Sequence, residues 1–343
     1  MTTHRPRRIA VIGGGRSDEH DVSLASAAAA VRAVRAHGDE PVALTVGRDG
    51  SWQAEGRGAV AAAEAVRLLT GCDVALPLLH GVDGEDGTVA GLLTMLGVPF
   101  VGSPVRAGAL AMDKWATKLL AEAAGIATAP AVLVRPGDDV GEPPLALPLV
   151  VKPTTGGSSN GVTRVGAGAG SGAAYRAAVE AARAAGEDVL VESYVTGREV
   201  DVALFRHHDG SLRAGATLEI GVADGGVFDR DRKYDGTAEF TVPARVTPDE
   251  HAALDRAARV LYQALGCAGV ARFDFFVTAD GLVLNEVNTT PGFTEQSQVP
   301  RMYAAVGLAY PALVAELADA ALRAQGAGAG KRPDAEARGG ERG

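Results

Sequence analysis

The first hundred residues alternate short apolar runs with Ala-rich segments of helical spacing. RIAVIGG, PVALTVG and DVALPLLHG read as strands, residues 23–36 and 60–69 as helices, and GVPFV from Gly97 as a further short strand. This strand, helix, strand rhythm predicts a parallel α/β layer. A helix is expected over residues 112–124, with Asp113 and Lys114 in its first turn and Gly125 as its stop. Trp115, Leu119 and Leu120, with Ala116 and Ala123, form its expected buried face.

Beyond residue 145 the period shifts toward two. LPLVVKP, the polar loop TTGGSSNG and GVTRV read as strand, glycine loop and strand, a hairpin and not the strand-to-helix passage of a P-loop. DVLVESYV and REVDVALF are β-rich, while residues 221–238 are rich in Gly and Asp without a period, as expected of a functional or disordered loop. A helix over residues 248–265 precedes two alternating strands, ARFDFFV and LVLNEVN, and a last helix is expected over residues 310–323. No internal repeat is present.

The two late strands fit an antiparallel hairpin with a three-residue loop, Ala279, Asp280 and Gly281. Counting outward pairs Thr278 with Leu282, Asp274 with Glu286 and Arg272 with Asn288, so these last four polar side chains share one face. Opposed carboxylates repel unless a cation or a shared proton offsets them. Oxygen donors without Cys or His favour Mg²⁺, whose shell phosphate and water would complete. A solvated acidic edge is the alternative reading of the same face.

Composition narrows the field. A chain of 343 residues predicts two or three lobes, and 47% hydrophobic with 22% charged residues is ordinary for a globular protein. A net charge of -9 argues against a broad basic surface for nucleic acid. The two cysteines, Cys72 and Cys267, lie in apolar stretches and read as buried thiols. No apolar run reaches membrane-spanning length and the N-terminus does not resemble a signal peptide, so a cytoplasmic location without membrane partners is expected. Residues 324–343, rich in Gly, Ala and charge, are expected to be disordered.

Lys152 ends an apolar strand just before TTGGSSNG, whose backbone N–H groups and hydroxyls could cradle an anion; a flexible surface hairpin is the alternative. GGGRSDEHDVSL sits between strand and helix like a dinucleotide fingerprint. It lacks the third-glycine spacing, however, and Asp18, Glu19 and Asp21 would repel a pyrophosphate. A carboxylate there suits an ammonium ligand. His80, in LLHGVDGEDG, could donate to a substrate or merely cap its turn.

In order along the chain, GGGRSDEHDVSLASA, LHGVDGEDGTVAGLL, VGSPVRAGALAMDK, VVKPTTGGSSNGV, VLVESYVTGREVDVAL, RKYDG, LGCAGVARFDFF and LNEVNTTPGFTEQSQVP resemble the D-alanine:D-alanine ligase family of ATP-grasp enzymes. The resemblance implies a three-lobed α/β and α+β ATP-grasp fold. An N-terminal parallel α/β domain would span residues 1–102, a central lobe 103–196 and a C-terminal lobe with the metal site 197–323.

The resemblance also implies roles. Lys114 and Lys152 would bind ATP phosphates, Glu192 and the backbone at Val195 the adenine, and Glu199 the ribose. Asp274, Glu286 and Asn288 would ligate two Mg²⁺ ions, with Mn²⁺ as an alternative. Glu19, bonded with Ser158 and Tyr234, would hold the ammonium of the first D-alanine, and the loop around Lys233 would close over nucleotide and substrate. Arg272 and the backbone at Gly292 would stabilise the oxyanion; Ser297 and Lys233 would hold the acceptor carboxylate, near His80 and Gln298. The implied reaction is attack of a D-alanine carboxylate on the ATP γ-phosphate, then attack of a second amine on the acyl phosphate, serving peptidoglycan precursor synthesis in a homodimer.

The sequence departs from many relatives in three places: TEQSQVP around the acceptor serine, TTGG in the lysine loop, and Ser193 after Glu192. The acceptor is therefore open among D-alanine, D-serine, D-lactate and another amino acid, the latter three implying resistance or specialised metabolism. The Lys233-Tyr234 pair favours an amine acceptor. A non-catalytic nucleotide-binding regulator and a dinucleotide oxidoreductase are the competing classes; the second leaves the acidic hairpin unexplained.

Overall fold

The computed structural model describes residues 5–186, 188–221 and 239–329. Strand β1 (Arg8–Gly14) lies parallel between β2 (Glu40–Val46) and β5 (Val74–Pro77), as the strand-helix rhythm predicts. An antiparallel hairpin, β3 (Trp52–Ala54) and β4 (Gly58–Val60), extends this sheet beyond β2, which the sequence pattern did not reveal. Helices α1 (His20–His37), α2 (Ala62–Thr70) and α3 (Thr88–Leu96) complete the layer. The strand expected from Gly97 is reduced to one bridge, Ala75 to Phe100.

Two helices follow where one was expected. α4 (Val105–Met112) stops at Asp113, whose carboxylate then accepts from the backbone N–H groups of Trp115 and Ala116 and starts α5 (Lys114–Ala123). The buried residues of α5 are Thr117, Lys118 and Ala121; Leu120 packs against the core as expected, but Leu119 is 50% exposed, which corrects the expected face at that position.

The central sheet is antiparallel, in the order β6 (Ala131–Val134), β9 (Val189–Ser193), β7 (Leu149–Pro153), β8 (Thr163–Val165), and α6 (Ser171–Ala185) packs against it. β7 and β8 form the predicted glycine-loop hairpin. The C-terminal sheet runs β13 (Glu239–Thr241), β12 (Leu218–Gly221), β10 (Arg198–Arg206), β14 (Val270–Thr278), β15 (Gly281–Asn288), with β11 (Leu212–Ala214) also on β10. Helix α7 (Pro248–Leu265) opens with a Thr247–Glu250 capping box and shares a core with this sheet and with α4 and α5. Thus residues 105–123, expected in the central lobe, pack on the C-terminal sheet.

The register of β14 and β15 agrees with the expectation at one end and not at the other. The turn holds two residues, pairing Thr278 with Gly281 and Val277 with Leu282. A bulge at Asp274/Phe275 then leaves Asn285 unpaired, so Asp274 faces Glu286 and Arg272 faces Asn288 as counted. A shorter turn and an extra residue cancel.

Helices α8 (Gln298–Ala304) and α9 (Tyr310–Ala329) end the described chain; α9 continues six residues beyond the expected stop at 323. A single core joins Val31 and Val34 of α1 to Phe205, Phe293, Tyr303 and Leu313. Arg7 adds ion pairs to Asp39 at 2.6 Å and to Asp319 of α9 at 2.5 Å. Cys72 is partly buried, Cys267 is buried, and they form no disulfide; burial pushes the Cys267 thiol up to about 12. Among the described residues no helix is long and apolar enough to cross a membrane.

Candidate active site

A cleft of about 1360 Å³ is walled by the central sheet, the C-terminal sheet and the turn between β1 and α1. Glu19, His80, Lys114, Lys152, Ser158, Glu192, Val195, Glu199, Arg272, Asp274, Glu286, Asn288, Gly292, Ser297 and Gln298 all line it. Lys233 and Tyr234 lie outside the described residues.

The central wall carries a buried ionic triad. Lys152 Nζ stands 2.5 Å from Glu192 Oε2, and Lys118 Nζ donates to Glu192 Oε1 at 2.8 Å. Burial alone would raise the Glu192 carboxyl, but Lys152 and Lys118 overcome it and hold the group below its ordinary value. The Lys118 ammonium is lowered by burial, which Glu192 only partly offsets. Glu192 therefore orients two lysines with both of its oxygens. Lys114 Nζ donates to the Gly156 carbonyl at 2.8 Å, tying α5 to the glycine loop. Val150, Ala129, Met112, Leu284 and Phe276 give this end of the cleft apolar walls, beside Val195 and Glu199.

Opposite lies the acidic hairpin. Arg272 forks onto Asp274, with Nε donating to Oδ1 and Nη2 to Oδ2, both at 2.7 Å, and Asn288 Nδ2 donates to Asp274 Oδ2 at 3.1 Å. Burial opposes the guanidinium charge, yet Asp274, then Asp201 and Glu286, raise Arg272 well above its ordinary value. No group of three His, Cys, Asp or Glu forms a metal cluster among the described residues. The donor set is two facing carboxylates and one amide, all oxygen, and it fits a hard cation completed by ligand oxygens and water.

The N-terminal end supplies a carboxylate and its support. Ser158 Oγ donates to Glu19 Oε1 at 2.6 Å, and Asn160 Nδ2 donates to Asp18 at 3.1 Å, so the glycine loop reaches across to the turn before α1. Ser158 and Ser159 hold left-handed φ values of 53° and 58°, a cost of about 1 kcal/mol or more each, which turns successive backbone N–H groups one way. Gly157 allows the approach: a Cβ there would stand 2.5 Å from Glu19 Oε2.

His80 is buried, and both ring nitrogens face protein. Nδ1 meets the Thr290 carbonyl at 2.8 Å and must carry the proton; Nε2, 3.1 Å from Ser26 Oγ, then accepts from it. Burial lowers the His80 pKa and favours this neutral form. Ser26 Oγ also accepts from the Phe293 N–H at 3.2 Å, so the pair fixes the segment carrying Gly292. Ser297, at the N-cap of α8, accepts from the Thr294 N–H at 3.0 Å.

Three site residues escaped the sequence reading. Lys118 is four residues from Lys114 on one helix, a spacing that could have found it. Glu85 stands in GVDGEDG, partly open to the cleft; burial, then Glu19 and Glu286, push its carboxyl well above the ordinary value. Asp201 pairs with Asp274 across β10 and β14 and is 0% exposed. Burial and Asp274 raise it strongly, and that long-range pairing leaves no local signal.

The geometry can be set beside known proteins. Residues 120–319 match the family model described as D-ala D-ala ligase C-terminus, and residues 57–103 the one described as D-ala D-ala ligase N-terminus. The chain is similar to the D-alanine–D-alanine ligase of Rhodococcus jostii, 40% identical over 93% of this chain and 98% of that one. It is also similar to that of Nocardia farcinica, 38% identical over 94% and 98%. The VanG D-Ala:D-Ser ligase from Enterococcus faecalis superposes with a TM-score of 0.79 and 31% identity, over 92% of this chain and 100% of that one. The fold is also that of the D-alanine-D-alanine ligase from Coxiella burnetii, with a TM-score of 0.77, 24% identity, and 94% and 97% of the chains covered.

Proposed function

The chain belongs to the D-alanine:D-alanine ligase family, with its ATP-grasp fold, and we propose that it joins two D-alanines at the expense of ATP. The observation that supports this is convergence: one cleft is lined by the Glu19 carboxylate, the Lys114 and Lys152 ammonium groups and the oxygen donors of Asp274, Glu286 and Asn288.

In this reading Lys114 and Lys152 hold the ATP phosphates, Glu192 fixes Lys152, and the apolar end beside Val195 and Glu199 takes adenine and ribose. Asp274, Glu286 and Asn288 would hold Mg²⁺, which supplies charge neutralisation on the transferred phosphoryl group when bound. Glu19, oriented by Ser158, binds the ammonium of the first D-alanine. Its carboxylate oxygen bonds the γ-phosphorus while the bond to ADP breaks, giving D-alanyl phosphate. The acceptor amine, its ammonium proton given up to solvent, attacks the acyl carbon; the bond to phosphate breaks, inorganic phosphate leaves with the bonding pair and takes the second proton released from the nitrogen. Arg272 has five N–H groups, of which Asp274 takes two and Gln298 one, leaving two for the developing oxyanion. Ser297, with Lys233, places the acceptor carboxylate.

A second reading, D-alanine joined to another acceptor, draws on the polar Gln296 and Gln298 that line the cleft around Ser297 and on the likeness to a D-Ala:D-Ser ligase. The wider reading places the enzyme in peptidoglycan precursor synthesis in the cytoplasm, as a homodimer. Phosphate release with ATP and Mg²⁺ is measured with D-alanine alone, then with D-serine or D-lactate added, and product masses are taken. D-alanyl-D-alanine from D-alanine alone is expected; only mixed products would establish the second reading instead.

A further inference from the structure

We propose that Gln298, acting with Asp201, is a positioning residue that keeps Arg272 forked on Asp274; the inference rests on the ligase reading of Arg272. Arg272 lies between two carboxylates. Its Nε is 2.7 Å from Asp274 Oδ1 and 3.5 Å from Asp201 Oδ2, so Asp201 is a competing acceptor. Gln298 blocks the competition. A guanidinium only donates, so the amide oxygen must face it, and Nη1 donates to Gln298 Oε1 at 2.6 Å. The amide nitrogen is thereby aimed the other way and donates to Asp201 Oδ2 at 2.8 Å.

Asp201 is 0% exposed, and its Oδ1 has no hydrogen-bond partner among the described residues. Loss of the Gln298 donor would leave Oδ2 open to Arg272 Nε, 3.5 Å away, as a replacement donor. Gln298 is also the first residue of α8, directly after Ser297, so the bridge links the acceptor helix to β14 and β10. An ångström of misplacement at a reacting centre costs on the order of 100-fold.

The test uses the full-length chain with whichever acceptor the unmodified protein joins to D-alanine. Gln298→Leu is expected to lower kcat roughly 10- to 100-fold, with the KM for ATP nearly unchanged and the melting temperature lowered by the buried Asp201 oxygen left without its donor. Gln298→Glu alone sets a carboxylate against Asp201 and should lower kcat as well. Combined with Asp201→Asn, it restores one donor facing one acceptor, still accepts from Arg272, and should recover most of the lost kcat. Wild-type kcat in Gln298→Leu, or no recovery in the paired variant, overturns the proposal; if Gln298→Leu fails to fold, the paired comparison decides. Absence of D-alanyl-D-alanine from the unmodified protein would instead count against the D-alanine acceptor, and these arms would still be read with D-serine or D-lactate.

Discussion

At the scale of single residues, the Lys118, Glu192 and Lys152 triad shows how a site stores charge before a ligand arrives. Two buried ammonium groups are tolerated because one buried carboxylate touches both. Glu192→Gln would leave them uncompensated, and a loss of about 3 kcal/mol in denaturant unfolding at neutral pH is expected. The sign of the pH dependence follows from the depressed Glu192 value. Its contribution is complete above its unfolded value of about 4.5 and disappears as pH falls through the lower folded value, so the gap between wild type and variant should close in acid. A gap constant with pH would mean the stabilisation is not electrostatic. In sequence, Glu192 read as an adenine ligand by resemblance. Its lysine partners come from β7 and α5, and only the folded chain brings them to it.

At the scale of elements, the glycine loop between β7 and β8 was legible as a hairpin, while its purpose depends on a contact with the far lobe. Gly157 illustrates the difference: nothing local demands glycine, but the Glu19 carboxylate occupies the space its side chain would take. That carboxylate is the end of a flexible side chain. Gly157→Ala should therefore preserve the melting temperature, displace Glu19 from Ser158, and raise the KM for the first D-alanine several-fold with the KM for ATP unchanged. A matching rise in both would place the effect on the loop as a whole. The β14–β15 hairpin carries a second lesson. Alternation placed Asp274 against Glu286 correctly, but through a three-residue turn; the two-residue turn and the bulge at Asn285 arrive at the same pairing. Inward-facing Phe273, Phe275 and Val287 explain the agreement, since burying them leaves Arg272, Asp274, Glu286 and Asn288 one face to occupy.

At the scale of the whole molecule, the cleft is a junction. The core around Phe205, Phe293 and Tyr303 fastens the N-terminal layer to the C-terminal sheet, and His80 and Ser26 hold the segment that carries Gly292. The Glu19 carboxylate and the acidic hairpin therefore stand on elements joined by a common core. The layer, the antiparallel sheets and most of the cleft wall were legible because period and ordered motifs are local. The packing of α4 and α5 on the C-terminal sheet, and the place of Asp201, were not, because both depend on contacts between distant segments. The central claim is that a D-alanine carboxylate attacks the ATP γ-phosphorus in this cleft. It is tested by turnover with D-alanine labelled with ¹⁸O in both carboxylate oxygens. The expected result is one ¹⁸O in each released inorganic phosphate and none in AMP; unlabelled phosphate, or label in AMP, would contradict it.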